Sequence, residues 1–100
     1  MILHTVNKSP FSHSTLADCV ALCADADSVL LIEDGVYGGQ QNSDLISQRT
    51  AGTEGVRFFA LVADVDARGL HDKLHRAVTL IDDREFVALS ILHRSVQSWF

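Results

Sequence analysis

The chain has 100 residues, 47% of them hydrophobic, and a formal net charge of −5. That length favours a single domain, and that apolar fraction excludes a disordered chain. The 8 lysines and arginines are scattered rather than clustered, which excludes a grip on a phosphate backbone, and no apolar run reaches the ~20 residues of a membrane span.

The opening MILHTVNK has no basic segment followed by a long apolar one, so no signal peptide is expected. A cytoplasmic chain with reduced thiols follows. ILHTV, residues 2–6, is short, apolar and β-branched, and reads as a strand. NKSPFSHS reads as a loop around Pro10. Ser14 or Thr15 is placed to cap a helix, along which Leu16, Val20, Cys23 and Ala24 recur at helical spacing. SVLLIED is a second strand, apolar for four residues running, as in a strand covered on both faces. The three glycines of GVYGGQQN demand a turn or a close approach. SDLISQRT is a short helix with Ser43 as its cap. VRFFALV, residues 56–62, is a third strand, and ADVDARGL is one helical turn stopped by Gly69. AVTLID, residues 77–82, is a fourth strand. DREFVALSILHR is the last helix, with Phe86, Val87, Ser90 and Ile91 along one stripe. The apolar tail SVQSWF forms a short fifth strand or docks on a neighbour.

Strands alternating with helices predict a single α/β domain over residues 1–100, with a parallel sheet of four to five strands and helices on both faces. The functional edge of such a fold is the carboxyl end of its strands. Here that edge carries Asn7–Ser14, Glu33–Gln41, Ala63–Arg68 and Asp82–Arg84.

Both cysteines fall in LADCVALC. Cys-x3-Cys is half of a zinc site, and the histidines that could complete it (His4, His13, His71, His75, His93) show no second paired spacing that is surely helical. No metal and no cofactor are therefore expected. A disulfide within one helix is disfavoured, because i,i+4 neighbours have Cβ atoms ~5–6 Å apart and a bridge wants ~3.8 Å. On a helical wheel with Leu16 at zero, Val20 falls near 40°, Cys23 near 340°, Ala24 near 80° and Cys19 near 300°, at about 100° per residue. Cys23 then lies within the apolar stripe and Cys19 on its rim, so Cys23 packs and Cys19 meets solvent or a partner. In IEDGVYGG, Glu33 and Asp34 could pair for acid/base work or hold Mg²⁺, but Asp-Gly after a buried strand reads first as a turn. His4, inside the first strand, reads as a core or interface residue. There is no G-x-G-x-x-G, no Walker motif and no nucleophile elbow.

ILHTVNKSPF, LLIEDGVY, ADVDARGL, VTLIDDREFVAL and VQSWF together resemble the TusB/DsrH family, nearly end to end. The resemblance implies a small α/β subunit of a sulfur-relay complex. It implies assembly with TusC/DsrF-like and TusD/DsrE-like subunits as a dimer of heterotrimers, exchange of persulfide sulfur with TusA-like and TusE/DsrC-like proteins, and no direct contact with nucleic acid. One branch of the family serves 2-thiolation of the tRNA wobble uridine and the other serves sulfur oxidation. The subunit itself is accessory, a non-catalytic part of a sulfurtransferase assembly. Cys19 matches a cysteine found on the first helix in the DsrH branch, which makes it a candidate auxiliary sulfur carrier. His4, Asp34, Tyr37, Trp99 and Phe100 are the candidate interface residues. The competing reading is a free-standing thiol transferase, or a small-molecule binder using the EDGVYGG edge.

Overall fold

In the computed structural model, which describes residues 1–50 and 55–100, the apolar runs become the strands of one parallel sheet. They are β1 (Ile2–Val6), β2 (Ser28–Leu31), β3 (Arg57–Leu61), β4 (Val78–Ile81) and β5 (Ser95–Trp99). The spatial order is β4-β3-β2-β1-β5. All four pairings are parallel. Ser28–Leu31 is buried at every position, which explains an apolar run without alternation. The tail is the fifth strand, lying beside β1 from Ile2 opposite Ser95 to Val6 opposite Trp99.

Parallel neighbours need crossovers, and helices supply them. The helices are α1 (Thr15–Leu22), α2 (Asp44–Arg49), α3 (Val62–Ala67) and α4 (Asp83–Leu92). Leu16, Cys19 and Val20 of α1, Ile46 of α2 and Val65 of α3 share one core with Val6, Val29, Leu31, Phe58 and Ala60. The second face is thinner. Leu3, Leu30 and Ile81 are its buried residues, covered by Phe86 and Leu89 of α4.

Local chemistry sets the helix ends. Ser43 caps α2 by accepting the Ile46 amide at 3.3 Å. Asp82 and Glu85 form a reciprocal capping box at the start of α4. Ser14 stands at the cap position of α1 but does not cap it, because its hydroxyl donates to Asp18 Oδ2 at 3.1 Å. Gly69 ends the turn after α3 at φ +65, where a side chain would be strained.

The glycine-rich turn after β2 is a 3-10 helix, Glu33–Gly39, and it makes the close approach its glycines demand. One expectation is corrected. The stripe on α4 is rotated: Phe86 and Leu89 face the sheet, whereas Val87 is 61% and Ile91 78% exposed. Apolar residues surround this helix, so periodicity alone does not single out its inner face.

Candidate functional site

Chemistry-bearing residues gather at two ends of the sheet. At the carboxyl end, the 3-10 segment hugs β1. Ile32 donates its amide to the Val6 carbonyl at 3.0 Å, and Gly35 lies so close that a Cβ there would stand 2.1 Å from the same oxygen. Glu33 takes φ +49 and donates its amide to Asp64 Oδ2 at 2.8 Å. The Asp34 carboxylate accepts two guanidinium bonds from Arg68, at 3.0 and 3.1 Å. Glu33 and Asp34 therefore act as parts of a turn, and Asp34 is occupied by a cation of the chain itself. Tyr37, half-buried, stands 6.4 Å from the ring of the exposed Phe11. The two rings, with Pro10, Leu16 and Leu45, line a groove of about 250 Å³.

The second group lies towards the amino end and is buried. Asp27 precedes β2, and its carboxylate accepts the amides of Ile2 (2.9 Å) and Ala24 (3.1 Å) and a bond from His4 Nε2 (3.0 Å). Trp99 donates its indole N–H to His4 Nδ1 at 3.0 Å. An indole nitrogen can only donate, so Nδ1 carries the lone pair and Nε2 the proton that points at Asp27. Burial pushes the Asp27 carboxyl up, but the hydrogen bonds from His4, Ile2 and Ala24 outweigh it and hold its pKa below the usual range.

Cys19 and Cys23 complete this group. Their sulfurs and one ring nitrogen of His4 lie within 4.8 Å of one another. Both thiols are free. Cys19 is 0% and Cys23 9% exposed, which overturns the rim position inferred for Cys19. The wheel erred because Ala24 was counted in the stripe. Helix α1 ends at Leu22, Cys23 is its C-cap with extended backbone, and Ala24 is exposed. Without Ala24 the stripe is Leu16, Cys19, Val20 and Cys23, centred near 350° between Cys23 and Leu16, so that Cys19 falls inside it at about 100° per residue.

The neighbouring Cys23 thiol pushes the Cys19 pKa up, and burial and the charge of Asp27 push the same way. The same pairing lowers Cys23 against burial and Asp27, with help from Arg49, whose guanidinium bonds the Cys23 carbonyl at 3.0 Å. Cys19 is thus the partner that stays a thiol. In the native state iodoacetamide should modify both cysteines far more slowly than in urea, and the first adduct should be at Cys23. Peptide mapping that finds Cys19 modified first would refute this packing of α1.

Of the remaining candidates, His4 is buried and spent within the chain, Trp99 is half-buried against the core and Phe100 is 84% exposed. His71 pairs with Asp66 at 3.1 Å and His75 with Ser47 at 2.9 Å, so the two do not share a site. Arg49 and Asp27 escaped the sequence reading. Their local patterns do not mark them, since apart from the Ala24 amide bonded by Asp27 their partners lie 23 to 26 positions away.

Comparison with known proteins agrees with this architecture. The model of the DsrH like protein family matches residues 8–96. A protein named TusB from Pectobacterium parmentieri is 32% identical over 98 residues, covering 98% of this chain and 100% of the relative. One from Escherichia coli is 34% identical over 99 residues, with the same coverage. Among solved structures, the crystal structure of the E. coli ychN protein superposes with a TM-score of 0.80 at 18% identity, covering 97% of both chains. A protein of unknown function from Methanobacterium thermoautotrophicum reaches 0.70, also at 18% identity, with 97% and 96% covered.

Proposed function

The chain belongs to the DsrH-like family, and from that premise we propose that it is the accessory subunit of a sulfur-relay complex that passes persulfide sulfur towards 2-thiolation of the tRNA wobble uridine. Its partners are TusC/DsrF-like and TusD/DsrE-like subunits in the cytoplasm. The observation that supports the accessory role is the burial of both thiols, 0% and 9% exposed. A sulfur carrier must present a thiolate to its donor, so the accepting cysteine belongs to the TusD/DsrE-like partner. Cys19 stays closed during transfer.

The surface supports partner binding. Phe11, Val87, Ile91, Leu92 and Phe100 are large, apolar and exposed. Strand β5 is an edge of the sheet, and Ser95–Trp99 contains none of the charged or proline residues that usually protect such an edge.

Co-expression with both partner types should give one species with the mass of a dimer of heterotrimers by light scattering. On exposure to a persulfide donor, the mass gain of one sulfur atom should appear on the TusD/DsrE-like cysteine and on neither Cys19 nor Cys23. A chain that remains alone in the presence of both partners would sink the reading. So would transfer of sulfur by the isolated chain, which would mark a free-standing thiol transferase. Restoration of wobble-uridine thiolation in cells lacking their own TusB distinguishes the tRNA branch from sulfur oxidation.

A further inference from the structure

We propose that His4, Cys19 and Cys23 form a binding site for a thiophilic divalent cation, with zinc as its occupant. This inference stands apart from the relay reading and reverses the expectation drawn from the Cys-x3-Cys spacing. The missing ligand came from β1, which no spacing rule within α1 could supply.

The donor set is one imidazole nitrogen and two sulfurs, all buried and within 4.8 Å of one another. Zinc bonds of ~2.3 Å to sulfur and ~2.0–2.1 Å to nitrogen place tetrahedral donors roughly 3.3–3.8 Å apart. Closure about a cation therefore asks for side-chain movement of about 1 Å. Cys23 has that freedom, because it is the C-cap and its backbone has already left the helix. Water takes the fourth position.

The surroundings are those of a metal site. The Asp27 carboxylate holds His4 Nε2–H at 3.0 Å, the carboxylate–histidine arrangement that orients a ligating imidazole through its other nitrogen. That other nitrogen, Nδ1, is unprotonated and is held by Trp99 at 3.0 Å. Nδ1 is the ligand atom of the proposed site, because Nε2 carries the proton held by Asp27, and Trp99, half-buried on the edge strand, is then the group the cation displaces. Charge also closes. A divalent cation, two thiolates, the Asp27 carboxylate and the Arg49 guanidinium on the Cys23 carbonyl sum to zero. Binding transfers the two thiol protons to solvent and takes none from His4, whose Nδ1 is already a lone pair.

The test uses the full chain, purified under reducing conditions and freed of metal, and titrated with Co(II). One equivalent should produce a thiolate-to-cobalt charge-transfer band and tetrahedral ligand-field bands, both removed by one equivalent of Zn(II). The chain has one tryptophan, so emission from Trp99 should change with the same stoichiometry as His4 releases it. Cys23→Ala and Cys19→Ala, each checked for folding by circular dichroism, should abolish the charge-transfer band. Trp99→Phe should bind roughly five-fold more tightly, because one competing hydrogen bond is gone. The proposal is overturned if no thiolate band forms at one equivalent, if the band survives in Cys23→Ala, or if Co(II) binds without altering Trp99 emission.

Discussion

Asp27→Asn is expected to destabilise the fold by about 3 kcal/mol, a urea midpoint lowered by roughly 2 M for a slope near 1.5 kcal/mol/M. The carboxylate faces three donors: the amides of Ile2 and Ala24, and His4 Nε2–H. A carboxylate only accepts, so it satisfies all three. An amide of the same shape keeps one oxygen and turns an NH2 group onto a donor in either orientation. The side chain is 5% exposed, so water does not repair the mismatch. The damage also travels, because Asp27 fixes the proton on His4 that leaves Nδ1 free for Trp99. The pH dependence gives the sign. The folded pKa of Asp27 is lowered, so its contribution is complete above the unfolded value of ~3.9 and is lost as pH falls through the lower folded value. The stability gap between wild type and Asp27→Asn should therefore be constant near neutrality and narrow below about pH 4. A gap that stays constant through the acid range would show that the carboxylate charge is not what the pocket uses.

Gly35→Ala is expected to cost on the order of 3 kcal/mol, or roughly 15 °C in melting temperature for a domain of this size. The reason is space. A Cβ would lie 2.1 Å from the Val6 carbonyl oxygen and 2.9 Å from its carbon, and both are backbone atoms of β1, an interior strand of the sheet. Relief requires the 3-10 segment to lift from β1, which breaks the Ile32 amide bond to Val6. Gly69→Ala is the internal control. Gly69 has φ +65 with nothing within 4 Å of a built Cβ, so its cost is backbone strain alone, about 1 kcal/mol. Equal melting temperatures for the two variants would mean that the segment is not seated on β1 as described.

The strands were legible because burial on both faces writes itself as contiguous apolar, β-branched residues. That is the case for ILHTV and SVLL, and RFFAL and VTLI follow with little loss. Ser43 and Gly69 were legible because capping and positive φ restrict residue type. The inner face of α4 was not, since Val87 and Ile91 are as apolar as Phe86 and Leu89 and only the sheet decides between them. The 3-10 helix after β2 was hidden by its glycines, which license a close approach without saying what shape achieves it. The candidate site was legible only in part. The cysteine pair is local and was found, but its depth was misjudged through one alanine beyond the helix end. His4 and Trp99 meet across 95 positions, and Asp27 reaches His4 across 23. Side-chain hydrogen bonds at such separations leave no periodic trace.

The place of β5 beside β1 has a consequence for how the protein comes into being. Thr5 and its hydrogen-bonding neighbour Ser98 are 93 positions apart. Translation proceeds at about 5–20 residues per second, so β1 waits roughly 5–20 s for the strand that closes its outer edge. Through that interval the nascent chain carries an open row of backbone donors and acceptors along what will be an interior strand. His4 meanwhile lacks the indole that later holds its ring. A strand offered by another polypeptide competes for that edge without a rival from this chain until Ser95–Trp99 has been made. Order of synthesis, and not affinity alone, therefore decides which neighbour β1 receives.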